Sequence, residues 1–125
     1  MKPFTFLLIG LIAFYPSTAS LAASQKSDEE KAGAILFRDK GCTFCHGVGG
    51  VGTKKAPALS DLYKDKTWPP EKINNQILDG GQKMPPFRES VTDEDVTNLI
   101  AYLRAKKKPV PPAPTQDSVP ASSPQ

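Results

Sequence analysis

Residues 42–47 read CTFCHG, and they contain both cysteines of the chain and its only histidine. Two thiols and one imidazole packed this tightly point to one shared task. A disulfide across a two-residue spacer closes a small loop and gains little chain entropy. A thioredoxin-like redox pair sits beside a β-α-β pattern, which this chain lacks. A zinc site takes four ligands, whereas Cys42, Cys45 and His46 supply three, with no second cluster to complete them.

The fourth reading uses all three side chains. C-x-x-C-H is an attachment motif for c-type haem: each thiol adds across one vinyl group, and the adjacent histidine binds iron from one face. Attachment happens outside the cytoplasm, so this reading requires export. The N-terminus supplies a signal for it. Lys2 is a short basic region, FTFLLIGLIAFY (4–15) an apolar run, and PSTASLAAS a set of breakers and small residues. Residues 1–22 read as a secretory signal peptide cleaved after Ala22. The apolar run falls short of the ~20 residues a bilayer-spanning helix needs, so no stable membrane insertion is expected after cleavage.

His46 being the only histidine, bis-histidine ligation within one chain is excluded. After signal removal Met84 is the only methionine, 38 residues downstream of His46 in GGQKMPPF. A neutral thioether closing the sixth position raises the reduction potential. The metal ligands read from sequence are His46 and Met84, with a methionine merely packed on the haem edge, an open sixth site, or Lys83 as a substitute ligand, as the alternatives to Met84.

Around these residues three helical segments stand out. The first opens at Ser27 with Glu30 three residues on, a capping-box pattern, runs through KAGAILFRDK, and stops at Gly41. The second follows Trp68-Pro69-Pro70, places Ile73 and Ile77 on one face, and ends at Gly80-Gly81. The third opens at Thr92, carries Asp93, Glu94 and Asp95 in its first turn, and continues with Val96, Leu99, Ile100 and Leu103 before Lys106-Lys107-Lys108 and Pro109. LSDLYKD (59–65) reads as one short helix, and no segment alternates like a strand. Gly33, mid-helix and four residues before Phe37, is a notch for another helix, with Tyr102 the aromatic to fill it. The tail PVPPAPTQDSVPASSPQ has six prolines in seventeen residues and reads as disordered or polyproline-like.

SDEEKAGAILFRDKGCTFCHG, then APAL, GGQKMPPF and VTDEDVTNLIAYLR together resemble the class I cytochrome c family in its small bacterial single-haem form. The resemblance covers about residues 27–105. It implies an all-α cytochrome c fold, with three main helices plus short helices and loops wrapped around one haem c held through Cys42 and Cys45. It also implies that the first and last helices cross through Gly33, Phe37 and Tyr102. Pro57 in APAL would orient the histidine through its carbonyl, Leu59 would line the pocket, and Trp68 would hydrogen-bond a haem propionate.

The domain organisation that follows is signal peptide 1–22, cytochrome c domain 27–108 and Pro-rich tail 109–125. The expected function is electron transfer by a soluble, exported (periplasmic), monomeric carrier, not an enzyme. Redox protein partners would dock at the exposed haem edge. Two alternatives stand beside it: a cytochrome subunit of a larger dehydrogenase or oxidase complex, and a haem enzyme or gas sensor with a labile sixth ligand. The chain carries 16 Lys plus Arg against 13 Asp plus Glu, a formal charge of +3. That small excess is not the concentrated basic face of a nucleic-acid binder. It also makes Lys54, Lys55 and Lys83 more readily solvated loop charges than a steering patch.

Overall fold

Pro70 opens the helix that carries the middle of the core, because a proline in the first turn forfeits no hydrogen bond. In the computed structural model, which describes residues 19–114, the helices are α1 (Ala19–Asp39), α2 (Cys42–His46), α3 (Pro70–Asp79) and α4 (Asp93–Leu103). A 3-10 turn, Val48–Gly50, follows α2, and no strand occurs among the described residues. The expected signal peptide, apart from residues 19–22, and the expected Pro-rich tail beyond Pro114 lie outside the described residues.

α1 is longer than its expected start at Ser27. It is already helical at Ala19, so Ser27 and Glu30 sit inside the helix and not at its cap. The residues before Ser27, ASLAASQK, contain three alanines and no glycine or proline, so nothing interrupts the hydrogen-bond ladder. Ala34 and Phe37 are the side chains it buries. Its end falls as expected: Gly41 adopts φ 77°, ψ 12°, a left-handed conformation that favours glycine.

α4 begins with a reciprocal cap. Thr92 Oγ1 accepts from the Asp95 N–H at 3.1 Å, and Asp95 Oδ2 accepts from the Thr92 N–H at 2.9 Å. It buries Val96, Leu99, Tyr102 and Leu103, with Ile100 only partly covered. The helix ends at Leu103, before the three lysines. Lys108 reaches back to donate to the carbonyls of Leu103 (3.0 Å) and Ala105 (3.5 Å), satisfying groups the helix end leaves unpaired.

α1 and α4 meet at Gly33. A Cβ placed there would lie 2.6 Å from Tyr102 Cβ and overlap the Asn98 carbonyl, so only glycine fits. Phe37 and Tyr102 pack one turn on, ring centroids 5.3 Å apart and tilted 47°. Ile73 and Ile77 of α3 complete the cluster with Ala34, Val96, Leu99 and Leu103.

The 59–65 segment is not a helix. It forms turns, with the N–H of Leu62 on Leu59 O (3.4 Å) and that of Lys64 on Asp61 O (3.1 Å). Asp65 is engaged downstream, accepting from Thr67 N–H at 2.8 Å and Thr67 Oγ1 at 2.7 Å. This side-chain turn competes with helix continuation. The thiol-bearing α2, this turn segment and the α3–α4 loop enclose a cavity beside the core.

Candidate functional site

On α2, Cys42, Cys45 and His46 fall at positions i, i+3 and i+4, so one helix face presents all three. All three line a cavity of about 760 Å³, within the range of small-molecule and cofactor pockets. Both cysteines are free thiols, half-buried. Burial pushes the Cys42 thiol above its ordinary pKa.

The loop after α2 exists to cap it and to return to it. Gly52 N–H donates to His46 O at 2.7 Å, and Thr53 Oγ1 donates to Cys45 O at 2.5 Å. These bonds satisfy the last carbonyls of a five-residue helix and fix the path to Pro57. The Pro57 carbonyl lies 2.9 Å from His46 Nδ1. A carbonyl only accepts, so Nδ1 carries a proton, and in the neutral ring Nε2 is then the nitrogen with the free lone pair. Leu59 N–H then donates to Gly50 O at 2.7 Å, which sets Leu59 half-buried against the core and on the cavity wall.

Met84 lines the same cavity, half-buried against the core. Its loop is tied at both ends: Gly81 N–H donates to Met84 O at 2.8 Å, and Phe87 N–H to Ile77 O at 3.1 Å. Gly80 makes the reversal, with φ 70° and a Cβ position 2.5 Å from Met84 O. Trp68 is also half-buried on the cavity wall. Lys72 Nζ lies 4.2 Å above its ring.

The structure thus brings Cys42, Cys45, His46, Pro57, Leu59, Trp68 and Met84 to one place. Two residues that sequence reasoning missed help to shape it. Arg104 donates to the carbonyls of Trp68 (2.9 Å) and Leu62 (3.4 Å), clamping the turn segment to the end of α4. Gln76 donates to Gly80 O at 2.9 Å and approaches Met84 Sδ at 3.8 Å. Neither carried a signal: in sequence one is a helix-end cation and the other a polar helix residue.

No group of three or more His, Cys, Asp or Glu among the described residues could hold a metal ion alone. The donors instead suit a flat group that brings its own metal: two thiols at reach of one edge, one imidazole with a free nitrogen, one thioether, and mostly apolar walls. The residues present fit haem.

The family model for "Cytochrome C oxidase, cbb3-type, subunit III" matches residues 28–103. Cytochrome c6 of Nostoc sp. is 30% identical over 109 residues, covering 84% of this chain and 93% of that protein. Cytochrome c oxidase subunit 2 of Alkalihalophilus pseudofirmus is 33% identical over 86 residues. Those residues are 60% of this chain, but the chain spans only 25% of that longer protein. The crystal structure of the c-type cytochrome XoxG from Methylobacterium extorquens AM1 superposes with a TM-score of 0.57 at 28% identity, covering 67% of this chain and 57% of that one. The chain belongs to the class I cytochrome c family. With membership comes covalent haem c, for which Cys42 and Cys45 are the only thiols available.

Proposed function

We propose that this protein is an exported one-electron carrier whose iron is held by His46 on one face and Met84 on the other. Haem bound there supplies an Fe(III)/Fe(II) couple. Around it the chain's residues do the tuning. The Pro57 carbonyl, 2.9 Å from His46 Nδ1, fixes the imidazole plane and raises the basicity of Nε2. That bond carries the proposal, since it leaves the free nitrogen in a fixed orientation. Leu59, Phe37 and Ile77 line the site and keep water off it, and Trp68, on the same wall, would hydrogen-bond a haem propionate. With both axial positions filled, nothing need bind or leave as the oxidation state changes.

The charge pattern supports a docking face beside the cavity. Residues 40–60 contain Lys40, Lys54 and Lys55 and no acidic side chain, and the Met84 loop adds Lys83, while Arg88 beside it is paired with Asp79. Acidic runs lie at 28–30 and 93–95, on α1 and on the first turn of α4. Phe44, 72% exposed with Lys55 Nζ 3.4 Å above its ring, gives this face an apolar centre. The partner suited to it is a redox protein whose own apolar contact is ringed by carboxylates.

A second reading rests on the similarity to oxidase subunits: the same domain would serve a fixed partner within a complex. Among the described residues no helix is long and apolar enough to cross a membrane. In that reading the Pro-rich segment, whose Pro112 carbonyl accepts from Arg38 at the end of α1, is the contact element. Potentiometric titration of the haem-loaded protein tests the ligand assignment. The expected result is a single reversible one-electron wave whose potential falls in Met84→Ala, because the thioether favours the ferrous state. An unchanged potential would remove Met84 from the iron.

A further inference from the structure

The small net charge conceals a segregation of sign. Residues 61–72 and 104–108 together hold seven basic and three acidic side chains, an excess of four, where the whole chain has an excess of three. The fold joins these two stretches into one end of the molecule. Arg104 Nη1 donates to the Leu62 and Trp68 carbonyls, at 3.4 Å and 2.9 Å. Lys72 donates to Thr67 O at 3.2 Å, and Lys108 comes within reach of the Asp61 charge. Of the three carboxylates, Asp61 is paired with Lys64 at 3.0 Å and Asp65 accepts from Thr67. Lys66, Lys106 and Lys107 are exposed, and no hydrogen bond or ion pair engages them among the described residues.

The other end of α4 carries the opposite sign. Asp28 and Glu29 of α1 line a groove with Glu94 of α4, flanked by Asp93 and Asp95. α4 has 11 residues, so about 16 Å separates the two ends. A molecule polarised in this way turns its basic end toward an anionic surface and holds the acidic end away. That basic end has no apolar centre. Among the described residues the exposed large hydrophobics are Leu21, Phe44, Val48, Val51 and Val110, and only Val110 adjoins it. A protein interface is built around an apolar core, whereas a layer of phosphate headgroups attracts lysines without one.

We propose that the basic end formed by residues 61–72 and 104–108 is a peripheral docking surface for anionic phospholipid, which holds the carrier on a membrane face without inserting a helix. It uses no residue of the Phe44–Lys55 face, which is left to redox partners. It does not depend on the axial ligands. Each lysine at an anionic surface contributes about 5-fold in affinity at low salt.

The test is cosedimentation of the haem-loaded, full-length protein with vesicles of phosphatidylglycerol and phosphatidylcholine, against vesicles of phosphatidylcholine alone. Two triple variants of equal net charge are compared with wild type: Lys66→Gln/Lys106→Gln/Lys107→Gln at the basic end, and Lys54→Gln/Lys55→Gln/Lys83→Gln beside the cavity. Wild type is expected to bind only the anionic vesicles, at about 0.01 M salt and not at about 1 M, where the screening length falls from about 30 Å to about 3 Å. The first variant is expected to bind about 100-fold more weakly, and the second to stay much closer to wild type. Equal weakening in the two variants would reduce adsorption to net charge and overturn the proposal. So would failure of wild type to bind the anionic vesicles. Undiminished binding by the first variant would also overturn it, and would leave the basic end to an acidic protein.

Discussion

Gly33 and Tyr102 make the most exacting residue-scale contact in the protein. Mid-helix, alanine is better than glycine by about 1 kcal/mol, so Gly33→Ala would stabilise an open site. Here the new Cβ would lie 2.6 Å from Tyr102 Cβ and overlap backbone of α4. We expect the opposite sign, a loss of about 1–3 kcal/mol in denaturant unfolding of the haem-loaded protein. A stabilised variant would show that the helices are not in contact there. This notch was legible because a glycine inside a strong helical pattern is anomalous. The pairing of His46 with Pro57 was also legible, though only through family resemblance; nothing in the residues alone joins positions 46 and 57. Gln76 and Arg104 were not legible at all. Each acts through a carbonyl or sulfur brought near by the fold, and no local pattern encodes that meeting.

At the scale of elements, ends proved harder to read than faces. The apolar periodicities of α3 and α4 and the caps at Gly41, Gly80 and Thr92 followed the sequence, because each rests on local chemistry. The start of α1 did not. Ser27 has the residue types of a cap, but a cap forms only where the preceding residue leaves the helix, and ASLAASQK has no reason to leave. The turn segment at 59–65 failed the other way. Its composition suits a helix, yet Asp65 bonds Thr67, and Arg104 holds the Leu62 and Trp68 carbonyls from outside. Tertiary contacts replaced the local ladder. Of the expected α4 stripe only Ile100 stays partly covered, while Tyr102 is buried at the Gly33 notch as expected.

For the whole molecule, the core is small and a cavity of about 760 Å³ lies beside it. Only nine hydrophobic side chains among the described residues are buried, too few to stabilise a domain of this size without help. An apolar group in the cavity would complete the core and couple α2, α3, α4 and their loops. The haem-free variant Cys42→Ala/Cys45→Ala is therefore expected to lack a cooperative thermal transition by calorimetry, and a sharp one would show the polypeptide sufficient by itself. A carrier of the proposed kind needs both axial positions filled by its own chain, by His46 and Met84. The most direct measurement is the visible spectrum of the reduced, haem-loaded protein with and without carbon monoxide. A sharp low-spin spectrum that carbon monoxide leaves unchanged is the predicted result. A clear shift on adding the gas would contradict it, opening the sixth position and moving the protein toward ligand-binding chemistry.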